Sequence, residues 1–127
     1  MPPRRRIDPA DGRAAVVRWY ADPGAADRTT TATAVRYMLE ELSLQAPGHS
    51  VEVRVPPFGA VQVIEGPRHK RGTPTNVVEM QVDSWLRIAT GAISWADAEG
   101  AGLVRASGQR ADLSPYLPLL RLADDPA

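Results

Sequence analysis

The chain has 127 residues, 43% hydrophobic and 24% charged, with fifteen basic and fifteen acidic side chains. At that length one domain buries about two thirds of the surface its unfolded chain exposes, so a real core forms without staples. Zero net charge removes a global field for nucleic acid or anionic lipid, the lack of cysteine removes disulfides, thiolate nucleophiles and sulfur-ligated metals, and no run of about 18 apolar residues exists to span a membrane.

Residues 1–7, with Arg4-Arg5-Arg6, read as a flexible basic tail lacking the apolar stretch of a secretory signal, and residues 8–127 as a single domain. Asp8 offers an N-cap and Pro9 the first position of a helix running to about Ala21. Its apolar face is predicted to carry Ala14, Val17, Ala21 and nearby Tyr20, with Trp19 to the side, and Asp22-Pro23-Gly24 ends it. The clearest helical period follows: Val35, Met38, Leu39, Leu42 and Ala46 recur at three- and four-residue spacing. The threonines at 29–31 are its predicted caps, and Pro47-Gly48 its stop.

Val51, Val53 and Val55 alternate with Glu52 and Arg54, the pattern of a strand with one buried and one wet face, and Pro56-Pro57 breaks it. Ala60 to Glu65 reads as the next strand, Gly66 to Pro74 as an exposed loop, and Asn76 to Val82 as a third strand with Val78, Met80 and Val82 on one face. Asp83 or Ser84 is the predicted cap of a short helix ending at Gly91, and Ser94 with Asp97 has capping-box spacing for another. Leu103 to Ser107 is a fourth strand, and Asp112 or Ser114 caps a final helix whose start Pro115 and Pro118 restrict. The pattern predicts an α+β fold: a largely antiparallel sheet of about four or five strands, with helices on one face and consecutive strands antiparallel.

A search for catalytic motifs finds no G-x-S-x-G elbow, phosphate-binding glycine loop or H-E-x-x-H pair. His49 and His69 are the only histidines, and zinc needs three or four protein ligands. No catalytic residue, metal site or cofactor is therefore expected. Glu52 and Arg54, on the wet strand face, read as a cross-strand salt bridge. The loop Arg68-His69-Lys70-Arg71 is the one local positive field, so Arg68, Lys70 and Arg71 are candidate anion contacts. No aromatic residue is interleaved with these charges to stack on bases, and no nucleic-acid partner is expected. Lys70 is the only lysine in a chain rich in arginine, alanine, proline and glycine, which points to a GC-rich bacterial gene.

Asp83, Trp85, Leu86, Gly91, Ser94, Trp95, Ala98, Gly102, Leu103, Val104, Gly108 and the leucine-rich stretch from Leu113 to Leu120 occur in an order that resembles the sterol carrier protein family, in particular its small bacterial orthologues. The likeness covers about residues 83–120 well and about 30–82 loosely. It implies helices over one sheet face, enclosing an apolar tunnel for fatty acyl, acyl-CoA or sterol ligands. The positions it points to as lining are Leu39, Leu42, Trp85, Ile88, Trp95, Tyr116, Leu117 and Leu120, which serve equally as core. The chain departs from the family in its short loop 66–75 and in two prolines where an amphipathic lid is expected. The resulting expectation is a soluble, cytoplasmic, non-catalytic carrier of an apolar or acyl ligand. The alternative is an accessory module with a closed cavity that serves a protein partner.

Overall fold

The computed structural model describes residues 5–66, 76–108 and 111–123. Helix α1 spans Pro9–Ala21, and its first turn is closed by the Asp8 carboxylate accepting from the Ala10 N–H at 2.7 Å. Its buried stripe is Gly12, Ala15, Val16 and Trp19. Ala14 and Ala21 are exposed and Val17 is 45% exposed, so the face differs from the predicted one. The reason is Gly12, invisible to a hydrophobic pattern: a Cβ there would lie 2.2 Å from the Tyr37 ring. α1 can pack this closely on the next helix only where a side chain is missing. Burial raises the Tyr37 phenol pKa above its ordinary value, and nearby Glu41 adds to the effect.

Helix α2 spans Arg28–Gln45, and Val35, Met38, Leu39 and Leu42 are buried along it, with Ala46 buried at its end. Its cap is Asp27, not a threonine: Asp27 Oδ1 accepts from the Thr30 N–H at 2.8 Å, which holds the carboxyl below its ordinary pKa.

The sheet has four strands, β1 (Val51–Val55), β2 (Gly59–Val63), β3 (Asn76–Met80) and β4 (Val104–Ser107), in the order β2-β1-β3-β4. β1 pairs antiparallel with β2 (Val53 opposite Val61) and parallel with β3 (Val53 opposite Val78), and β3 pairs antiparallel with β4. Two of the three pairings are antiparallel, as expected, but β2 and β3 are not neighbours and the sheet is mixed. Val51, Val53 and Val55 all have 0% exposure. A strand so buried needs a partner on each edge, and β3 fills the edge of β1 that β2 leaves open.

The register places Val51, Val53, Val55, Val63, Val78, Met80 and Val104 on the helix side, and all are buried. The opposite face carries Glu52, Arg54, Gln62, Glu79 and Arg105. There Arg54 forms an ion pair with Glu52 along its own strand, where the sequence suggested a cross-strand pair.

Helix α3 spans Val82–Ala89. It begins before the predicted caps because β3 stops at Met80, and Gln81 stands at its N-cap without a side-chain bond. Helix α4 spans Trp95–Gly100, with Ser94 Oγ accepting from the Asp97 N–H at 3.0 Å. The predicted final helix is a single 3-10 turn, Ser114–Tyr116, with the Ser114 N–H bonded to Asp112 Oδ1 at 2.9 Å. Pro118 supplies no N–H with which a longer helix could continue.

Replacing Gly12 by Ala is expected to destabilise the protein by about 1–2 kcal/mol, since overpacking exceeds the gain in helix propensity. Urea unfolding measures this, and in a Tyr37→Leu background the penalty should shrink, because the clash is with that ring.

Candidate functional site

Trp85 has 0% exposure, and its indole Nε1 donates to the Val35 carbonyl at 3.3 Å, which fastens α3 to the middle of α2. Burial of an aromatic surface of about 150–250 Å² at about 25 cal/mol/Å² contributes up to roughly 4–6 kcal/mol. Leu42 is equally buried. These two positions, read from the sequence as lining or core, are core.

With α3 held in this way, its C-terminal carbonyls face the last segment of the chain. Ala89 O accepts from the N–H groups of Leu119 and Leu120 at 2.9 and 3.1 Å, and Thr90 O from those of Leu122 and Ala123 at 3.0 and 3.2 Å. Orphan carbonyls at a helix end need such donors. Gly91 makes the turn at φ 84°, a conformation that disfavours a side chain, and a Cβ there would meet the Arg121 guanidinium at 3.3 Å.

Between α3, α4 and this docked segment lies a cleft of about 570 Å³, within the size range of small-molecule sites. Ile88 from the end of α3, Trp95 from the start of α4 and Leu117 after the 3-10 turn meet on its wall, so three of the eight predicted positions come together here. Ile88 and Trp95 are nearly buried and Leu117 is partly buried. Ala92, Ile93 and Pro118 extend the apolar wall, while Ser94, Asp97, Ser114 and Arg121 add polar groups. Tyr116 and Leu120 pack at the margin of the core and do not line this cleft. Leu39 borders a different groove, between α2, β2 and residues 5–7.

Sequence reading missed Ile93, Pro118 and Arg121. Ile93 sits between two short helices with no periodicity to mark it, and the sequence shows Pro118 only as a restriction on where the final helix starts. Arg121 follows the leucine-rich stretch with no motif to single it out. The predicted anion contacts Arg68, Lys70 and Arg71 lie outside the described residues. His49 Nδ1 pairs with Gln62 Oε1 at 2.9 Å on the surface. No three His, Cys, Asp or Glu side chains gather as metal ligands among the described residues, and no described helix is long and apolar enough to cross a membrane.

The family model described as Bacterial SCP ortholog matches residues 27–119. That span includes α2, the whole sheet and Ile88, Trp95 and Leu117, and leaves out α1 and residues 5–7. No curated protein matches the chain.

Core and cleft wall should separate in their response to truncation. Leu42→Ala is expected to cost about 2–5 kcal/mol, whereas Leu117→Ala, which removes a side chain already partly in water, should cost about 1 kcal/mol. Urea denaturation midpoints of the two variants measure the difference.

Proposed function

Since the chain belongs to the family of bacterial sterol carrier protein orthologues, we propose that it is a carrier that holds an apolar or acyl-chain molecule in the cleft between α3, α4 and the C-terminal segment, without acting on it chemically. The observation that carries this reading is the convergence of Ile88, Trp95 and Leu117 from three separate elements on the apolar wall of one cleft. A chain laid against that wall leaves water for an apolar surface, at about 0.8 kcal/mol for each buried methylene. The polar groups at the same cleft suit a ligand with one polar end. A cytoplasmic site of action fits a chain without cysteine.

A second reading, an accessory module that serves a protein partner, draws on Leu42 and Trp85. Their wholly buried side chains fill space between α2, α3 and the sheet that an enclosed tunnel would require.

Titration of the full-length protein with 1-alkanols of increasing length, followed by the methyl NMR shifts of Ile88 and Ile93, separates the two. Carriage predicts saturable shifts and affinity that rises about tenfold for every two carbons until the cleft is full. It also predicts at least tenfold weaker binding in Leu117→Trp, which places a bulkier side chain on the cleft wall with Ile88 and Trp95. Absence of saturable shifts at these two methyls overturns carriage and leaves the interaction module.

A further inference from the structure

We propose that the groove between α2, β2 and residues 5–7 is a second binding site, for an acyl chain that bears an anionic head. The groove measures about 760 Å³ and shares no lining residue with the cleft at α3 and α4. Its outer wall, residues 5–7, lies outside the residues 27–119 matched by the family model.

The wall is built by hydrogen bonding. The backbone N–H of Arg6 donates to both Glu40 carboxylate oxygens at 3.1 Å, the N–H of Ile7 reaches Glu40 Oε2 at 3.4 Å, and Arg5 forms an ion pair with Glu41. Residues 5–7 are thereby laid along α2, and Ile7 packs at the margin of the core. Ile7, Leu39, Phe58 and Val61 supply the apolar lining.

The charges are unequal. Arg5 is neutralised by its ion pair with Glu41, which leaves Arg6 and Arg36 lining the groove against one carboxylate, Glu40, whose oxygens already accept from the wall. Ser43 Oγ is bonded to the Glu40 carbonyl at 2.8 Å. Arg36 Nε donates to the Phe58 carbonyl at 2.8 Å, and its guanidinium sits 5.9 Å from the Phe58 ring centre, with Arg28 at 5.0 Å from the same ring. That bond and that ring hold Arg36 in place and leave its two terminal nitrogens without a protein partner among the described residues. The Arg6 side chain likewise has no protein partner there. Two guanidinium groups with free donors beside an apolar floor match a carboxylate or phosphate carried on an alkyl chain, because the fork of donors on arginine binds such oxygens in pairs.

The test titrates the full-length protein with dodecanoate, dodecan-1-ol and inorganic phosphate, and follows the Ile7 and Val61 methyls beside those of Ile88 and Ile93. Dodecanoate should shift Ile7 and Val61 saturably, at least tenfold more tightly than either of the other two probes. Arg36→Gln and, separately, Arg6→Gln should each weaken that binding several-fold without altering alkanol binding at Ile88 and Ile93. Arg6→Gln removes an exposed side chain with no bond to the other described residues, so its result does not depend on the Phe58 turn staying intact. Equal binding of dodecan-1-ol at Ile7 and Val61, equal binding of phosphate alone, or dodecanoate shifts confined to Ile88 and Ile93 would each overturn the second site. The last of these outcomes leaves the carrier reading standing.

Discussion

The placement of α3 depends on the burial of one side chain, Trp85, and the cleft between α3, α4 and the C-terminal segment depends on the placement of α3. With 0% exposure and its indole N–H on the Val35 carbonyl, Trp85 joins the short helix to the longest one in the fold. An eight-residue helix is marginal by itself and takes its stability from such packing. Once it is seated, the carbonyls of Ala89 and Thr90 have no partner within the helix, and the N–H groups of residues 119, 120, 122 and 123 answer them. The cleft is the space this docking leaves beside Trp95 and Ile88.

The other end of the fold follows the same logic with different chemistry. Residues 5–7 have no periodic apolar pattern, and carboxylates on α2 bind them instead, Glu40 through backbone N–H groups and Glu41 through Arg5. A packed helix end shapes one concavity, and polar bonds to a helix surface shape the other. The sheet face away from the helices stays wet, with Glu52, Arg54, Glu79 and Arg105 across it. Both concavities therefore lie at the edges of the helix layer, since the interior is filled by Leu42, Met38, Trp85 and the valines of β1.

Much of this was legible before any coordinates. The three- and four-residue spacing along α2 marks its buried face, because a helix with one apolar stripe has one way to turn it inward. The alternating valines of β1 do the same for a strand. The order of residues from Asp83 to Leu120 pointed to the sterol carrier family, and the family match confirms it. The face of α1 was misread because close approach is signalled by the absence of a side chain at Gly12, which carries no hydrophobic weight. The cap of α2 was placed on threonines when Asp27, next to them, had the geometry. Both errors come from features that depend on one atom's position and not on a repeat.

By itself the sequence determined the four helices and four strands ahead of the last segment, the buried sides of α2 and β1 and the family, since each rests on local periodicity or on residue order along the chain. Tertiary structure alone decided that β3 runs parallel beside β1, that Leu42 and Trp85 are core while Ile88, Trp95 and Leu117 share a cleft, and that the arginines at 5, 6 and 36 line one groove. These are relations between residues far apart in sequence. They arise from competition for burial and for hydrogen-bond partners across the whole fold, which no local pattern records.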